Sequence, residues 1–283
     1  MDKKVTIAIP TSVISDTPHL REKTSKIGLI GRAAAIYRVN EIIVYSDNPK
    51  AKQHEDMALI ATLLAYMETP QYLRKKLFKI EPQLQFAGIL PPLRTPHHPL
   101  NRKAADLKLG EFREGVVVSR VSEGVQVDIG VEKPALLRDP QVPVGERLTV
   151  KIVKATERVE VEKADRAEVP VYWGYKVSAD KHSFSEVVQK GRYDLTVGTS
   201  KFGSRFQDVA DSLAERWVKA NSVLLAFGAP ARGLFEIVRD EGTNLNALMD
   251  FVVNTIPSQG TETVRTEEAL LASLAVFRTW FER

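Results

Sequence analysis

Three stretches of this chain concentrate residues whose types and spacing suit chemistry. Leu224-Leu225-Ala226-Phe227 is an unbroken apolar run that ends in Gly228-Ala229-Pro230-Ala231-Arg232-Gly233. Asn254-Thr255-Ile256-Pro257-Ser258-Gln259-Gly260 likewise carries an apolar segment into a loop, and residues 261–269 lead from it into a helix. Lys26-Ile27-Gly28-Leu29-Ile30-Gly31-Arg32 lies on a helical stretch near the N-terminus. In open α/β sheets ligands sit beyond the carboxyl ends of strands. Two strand ends with glycine, where backbone can approach a ligand, make a small-molecule site. Gly228 and Gly233 have the G-x-x-x-x-G spacing of a phosphate loop, but Leu234-Phe235 stands where lysine and a hydroxyl residue are required. No G-x-G-x-x-G fingerprint occurs either. The residues therefore point to a ligand held largely through backbone groups, and they exclude a phosphate-loop NTPase.

The elements that must position these loops follow from hydrophobic periodicity. Val5, Ile7 and Ile9 alternate in a strand over 5–10, a helix spans 26–38, and 41–45 is a strand apolar enough for burial on both faces. A turn at 46–49, a helix over 51–68 and a short one at 72–78 follow. Pro82, Pro91, Pro92, Pro96 and Pro99 then mark a connector. From about Leu107 the pattern becomes strand–turn–strand, with five short strands before residue 163, which predicts a small barrel. Strands are expected again at 171–177, 193–197, 223–227 and 251–256, with helices at 206–219, 234–238 and 267–281. An all-β module thus interrupts a strand–helix alternation that favours a parallel sheet. Leu270, Leu274, Phe277 and Phe281 form the packed stripe of the last helix.

The 283 residues include no cysteine. This excludes disulfides, zinc ribbons, cysteine-ligated iron–sulfur clusters and thiol nucleophiles. His97-His98 has no companion cluster, so no metal is expected. No apolar run approaches the length of a membrane span, and the expectation is a soluble, cytoplasmic protein without a membrane partner. The formal net charge is +4. Residues 71–106 alone net +5, through Arg74, Lys75, Lys76, Lys79, Arg94, Arg102 and Lys103. Lys75, Lys76, Arg102 and Lys103 are the candidate contacts to a nucleic-acid backbone. The β module offers little of its own for such a role: it is charge-neutral, with Phe112 its aromatic.

Taken together, the stretches at 26–34, 224–234 and 254–269 resemble the three motifs of the SPOUT class of S-adenosylmethionine-dependent RNA methyltransferases. The resemblance is to the archaeal and eukaryotic branch with an inserted OB-like domain. It implies an α/β fold: a knotted, mostly parallel sheet with helices on both faces, interrupted by a small OB-like β-barrel. The implied domains are a knot segment at 1–90, connector and barrel at 91–165, and a second knot segment with the cofactor loops at 166–283. The implied cofactor is S-adenosylmethionine, held by Phe227, Gly228, Pro230, Gly233, Thr255, Ile256, Pro257, Gly260 and Val264. Arg32 matches the arginine of the first motif. With Arg21 it is the candidate catalytic pair, orienting acceptor or RNA phosphate, since a guanidinium is a poor general base. The implied partners are structured RNA, rRNA or tRNA, and a second copy of the chain in a homodimer. Lys26 stands where ribose-methylating relatives have asparagine, which leaves ribose oxygen and base nitrogen, including uridine N3, open as acceptors. A catalytically silent RNA-binding adaptor is the alternative. Methylation at pyrimidine C5 by a cysteine nucleophile is excluded.

Overall fold

Strands buried on both faces need cover from helices, and the strand–helix alternation supplies it. The computed structural model describes residues 3–48 and 53–281. The elements begin with β1 (Lys4–Pro10), α1 (Leu20–Ile36), β2 (Glu41–Ser46), α2 (His54–Glu68) and α3 (Gln71–Leu77). The β-rich middle comprises β3 (Phe112–Val121), β4 (Gly124–Asp128), β5 (Ala135–Leu137), β6 (Arg147–Ala155) and β7 (Val159–Lys163). Then come β8 (Lys176–Ser183), α4 (Phe184–Lys190), β9 (Leu195–Arg205), α5 (Phe206–Lys219) and β10 (Ser222–Ala226). The chain continues through α6 (Leu234–Asp240), α7 (Leu245–Leu248), β11 (Phe251–Asn254) and α8 (Thr266–Phe281). Pro49 of the expected turn and residues 51–52 of the expected helix lie outside the described residues.

The chain divides into two units. One comprises Met1–Met67, Gln83–Pro92 and Tyr175–Arg283; the other comprises Glu68–Pro82 and Leu93–Gly174. The basic helix α3, placed by sequence in the first segment, clusters with the barrel unit.

The first unit holds a six-stranded sheet in the order β11-β9-β10-β1-β2-β8, flanked by helices. All its strand pairings are parallel. β1 sits at the centre, so Thr6 and Ala8 are as buried as Val5, Ile7 and Ile9, and period-2 alternation gives way to burial on both faces. One core cluster joins Ala8, Tyr45, Phe184, Leu224, Leu234 and Ile237, tying α4 and α6 to the sheet. Helix α8 buries Leu270, Leu274 and Phe277 as its periodicity requires.

Several elements differ from the sequence expectation, which has no counterpart of α4 or α7 and ends β9 at 197 rather than at Arg205. α1 begins at Leu20 rather than 26 because its first turn is polar and exposed, and burial starts only at Thr24. The strand expected at 171–177 is β8, at 176–183. Gly174 has φ +81, which breaks the chain direction before it. β8 is an edge strand paired only with β2, so it carries lysines and serines rather than an apolar run.

The second unit holds a closed barrel, β3-β4-β5-β7-β6. Val117, Val125, Val127, Leu148, Val150, Ile152 and Val161 fill its interior. A buried ionic cluster lies in the same unit. Glu68, 4% exposed, accepts from Arg147 Nη1 at 2.7 Å and from Arg166 Nη2 at 3.3 Å, and His97 Nε2 lies 3.3 Å from it. Glu114 accepts from Arg147 Nε at 2.6 Å, Thr149 Oγ1 at 2.7 Å and Trp173 Nε1 at 2.6 Å. The His97-His98 pair is thus structural: both rings bond the Glu68 carbonyl, at 2.8 and 2.7 Å. No group of three or more potential metal ligands occurs among the described residues.

Candidate functional site

The carboxyl ends of β9, β10 and β11 lie side by side, and a cavity of about 370 Å³ opens beyond them. That is within the range of small-molecule sites. Of the expected cofactor residues, Phe227, Gly228, Pro230, Gly233, Thr255, Ile256 and Val264 line it together. Pro257 and Gly260 do not; Gln259 between them does. Ser258 has φ +56, so the loop reverses there and presents Gln259 inward. Gln259 Nε2 donates to the carbonyls of Thr261 (2.8 Å) and Glu262 (3.1 Å), which folds residues 259–262 into one rim.

The β10 loop is fixed from both sides. Phe227 N donates to Ala8 O at 3.0 Å, continuing the β1–β10 ladder past the strand. The Tyr45 hydroxyl donates to Phe227 O at 2.9 Å. Burial raises the pKa of Tyr45 well above that of a free phenol, keeping it a neutral donor. Beyond the loop, Gly233 caps α6, its N–H donating to Glu236 Oε2 at 3.2 Å. Gly228 packs against this helix start so closely that a Cβ would lie 2.9 Å from Leu234 N and 3.0 Å from Gly233 Cα. The glycine is therefore required by backbone approach, whereas a Cβ on Gly233 meets nothing within 4 Å. Arg232 anchors the far side: its Nη2 donates to Asp47 O at 2.6 Å and to Asp47 Oδ2 at 3.3 Å, and its Nη1 to Asp240 at 3.0 Å. Asp47 is buried and also accepts from Ser12 N at 3.0 Å and Gln53 Nε2 at 2.9 Å.

Several lining residues carry no motif in the sequence. Thr199, Ser200, Lys201 and Phe202 come from β9, in the stretch that its pairing with β11 skips between Gly198 and Ser204. Thr199 Oγ1 donates to Ala226 O at 2.9 Å, and Asn254 Nδ2 to Lys201 O at 3.1 Å. Thr266 and Ser273 reach in from α8. Thr266 Oγ1 donates to Gly228 O at 2.8 Å, and Ser273 Oγ lies 2.7 Å from Thr255 Oγ1. A readable signal existed for this pair: two hydroxyl residues seven apart, both on the buried face of an otherwise apolar helix. The lining mixes apolar surface (Phe227, Ile256, Val264) with carboxylates (Glu236, Glu262), one cation (Lys201) and exposed loop backbone.

The other candidates lie elsewhere. Arg32 is half-buried on α1 and donates from Nη1 to Pro92 O at 3.0 Å; Arg21 is exposed in the first turn of α1. Neither lines the cavity. The glycines of this first motif serve packing: a Cβ on Gly28 would meet Pro91 Cδ at 2.9 Å, and one on Gly31 the Tyr175 hydroxyl at 2.8 Å. In the barrel unit Lys75, Arg102 and Lys103 are exposed, while Lys76 is paired with Asp128.

Comparisons with known proteins bear on the chain as a whole. The chain is 35% identical to the 28S rRNA (uridine-N(3))-methyltransferase of Mus musculus, covering 97% of this chain and 76% of that one. It is 34% identical to the human protein of the same name, covering 97% and 77%. An uncharacterized protein of Haloarcula marismortui is 34% identical, with 95% and 96% covered. The family described as "Putative RNA methyltransferase" matches residues 4–277, which spans the sheet, the barrel and the cavity loops alike. With the match running through every element that builds the cavity, the chain belongs to this family of RNA methyltransferases.

Proposed function

We propose that the protein transfers the methyl group of S-adenosylmethionine to N3 of a uridine in ribosomal RNA. The observation that carries this reading is the 34–35% identity, over 97% of the chain, to two proteins named for that reaction. The cavity fits the donor. Phe227, Ile256 and Val264 suit the adenine, the backbone of 228–230 and 255–256 the sugar and base edges, and the carboxylates of Glu236 and Glu262 the cationic end. When bound, the cofactor supplies an electrophilic methyl group. The chain's own part is to hold donor and acceptor in line, which accounts for rate through positioning.

The reading includes the trefoil knot of the SPOUT class, with α8 following β11 beyond the cavity, and an OB-like role for the barrel in holding RNA. It also includes a homodimer. Helix α1 exposes Leu29 and Ile36, 55% and 50% accessible, on the same face as Arg32, and Leu271 and half-exposed Trp280 lie on α8. A second copy covering this face would bury these apolar side chains and bring Arg32 to a shared site. The test is calorimetry with S-adenosylmethionine, followed by labelled methyl transfer to unmodified ribosomal RNA and nucleoside mass spectrometry. Micromolar binding and labelled N3-methyluridine are expected, and Arg32→Ala is expected to abolish transfer but not binding. Absence of cofactor binding by the folded protein, or label on any other nucleoside, overturns the reading.

A further inference from the structure

One wall of the cavity is built by an irregularity in β9. Val252 of β11 pairs with Gly198 and the next residue, Val253, with Ser204, so residues 199–203 are left out of the ladder. Bulges of this kind are common beside active sites, where they re-aim side chains. Gly203 permits the excursion: a Cβ there would lie 2.7 Å from Val252 O and 2.8 Å from Val253 N. Thr199 Oγ1 ties the start of the segment to Ala226 O at 2.9 Å, and Asn254 Nδ2 holds Lys201 O at 3.1 Å. Within the bulge, Phe202 N donates to Ser200 Oγ at 3.2 Å.

This pinned segment presents one large apolar side chain. Phe202 lines the cavity and is 74% exposed, the only exposed phenylalanine among the described residues. A lone exposed apolar side chain is ordinary, but here the backbone that carries it is held on both sides by β10 and β11. Lys201 Nζ lies 5.3 Å from the ring centroid and donates to Glu262 O at 3.3 Å, so its ammonium backs one side of the ring. At 74% exposure the other side is open to a ligand. The carboxylates that line the cavity, Glu236 and Glu262, come from α6 and from the loop before α8. The bulge itself offers a cation and an aromatic face, the pair of groups that holds unpaired bases in single-stranded nucleic-acid sites.

We propose that Phe202 is the plate on which the acceptor base of the RNA stacks, with Lys201 backing the ring. The inference rests on the reading of the chain as an S-adenosylmethionine-dependent uridine methyltransferase and names a residue that positions its acceptor. That reading seats the donor's adenine on Phe227, Ile256 and Val264, which leaves Phe202 at the solvent side of the same cavity. A base stacked on Phe202 therefore lies against the cavity that takes the donor, and methyl group and acceptor meet with no protein between them. Stacking is tolerant of base identity, so Phe202 orients the acceptor without selecting uracil. Its contribution is to hold the base in line for displacement at the methyl carbon.

The experiment has a kinetic arm and a contact arm, both on the full-length protein. Phe202→Ala, Phe202→Leu and Phe202→Tyr are compared in single-turnover methyl transfer to unmodified ribosomal RNA at saturating RNA. Phe202→Ala and Phe202→Leu are expected to slow transfer by about tenfold or more, and Phe202→Tyr, which keeps the ring, to stay within about threefold of the parent. Melting temperature, oligomeric state and S-adenosylmethionine affinity are expected to match the parent's in all three. In the contact arm the RNA transcript carries 5-bromouridine in place of uridine. Irradiation is expected to crosslink it to Phe202, mapped by peptide mass spectrometry. The proposal is overturned if Phe202→Leu transfers as fast as Phe202→Tyr, or if the crosslink falls elsewhere. A loss of cofactor affinity in Phe202→Ala would assign the ring to the donor, and a change in oligomeric state would assign it to a second copy; either overturns the proposal. Transfer by the parent without a crosslink at Phe202 shows that only the plate is wrong. A crosslink there without transfer by the parent shows that the reaction is wrong, and the acceptor role falls with it.

Discussion

Replacing Gly228 with alanine places a methyl group against backbone, not against a movable side chain. The added Cβ would lie 2.9 Å from Leu234 N, 3.0 Å from Gly233 Cα and 3.1 Å from Gly233 C. Ordinary contact requires the loop and the start of α6 to separate by about 0.5 Å, and overpacking of this kind costs roughly 1–3 kcal/mol. The Gly228 carbonyl accepts from Thr266 Oγ1 at 2.8 Å, so the same shift strains the join between the β10 loop and α8, where net hydrogen-bond worth is about 1 kcal/mol. Gly233→Ala is the matched control. It meets no atom within 4 Å and has φ −74, which alanine adopts freely. Its cost is confined to a poorer helix cap, about 0.5–1 kcal/mol. Isothermal titration with S-adenosylmethionine and urea unfolding of both variants read the two effects separately. Gly228→Ala is expected to weaken cofactor binding by about tenfold or more while lowering stability by about 2 kcal/mol. Gly233→Ala is expected to leave affinity within about threefold. Equal affinities in the two variants would refute the claim that backbone approach at Gly228 shapes the cavity.

Two further outcomes follow from the barrel unit. Burial pushes the Glu68 carboxyl up, but the hydrogen bond to His97 and the charge of Arg147 together outweigh it and hold the pKa at about 2. A carboxylate held below its unfolded value stabilises the fold above the ordinary carboxylate range, and that stabilisation is lost as pH falls from about 4.5 toward 2. The wild-type chain is expected to lose on the order of 3 kcal/mol over that window on this account. Glu68→Gln is expected to be less stable at neutral pH and flatter below pH 4.5 by calorimetry, and parallel acid profiles would contradict the assignment. Neutralising Lys75, Lys76, Arg102 and Lys103 to alanine is expected to weaken RNA binding and lower the log–log salt slope by about 2–3. Lys76 contributes least because Asp128 already pairs with it. A slope equal to the parent's would remove these residues from the RNA path.

Much of the site was legible because its determinants are local. An apolar run ending in glycine and proline specifies a strand and its loop, and residues 223–233 and 251–260 did so within a few positions of the observed elements. The barrel was legible for the same reason, since turn glycines at 124, 130 and 145 all take positive φ where the strands end. Where local signals were weak, the reading missed. β8 is polar because it is an edge, and β9 contributes Thr199–Phe202 through a pairing irregularity against β11 that no motif marks.

The amino-acid sequence alone determined that the chain alternates strand and helix, that a small β module interrupts it, and that two glycine-bearing strand ends run into loops, which line the cavity. It did so because periodicity and turn chemistry act over a few neighbouring residues. Only the tertiary structure decided that Thr266 and Ser273 turn their hydroxyls into the cavity, that Arg232 locks onto buried Asp47, and that Lys26 meets Glu267 across α1 and α8. These pairings join residues distant in sequence. They depend on the strand order β11-β9-β10-β1-β2-β8, which is set by burial summed over the whole sheet rather than by any local pattern.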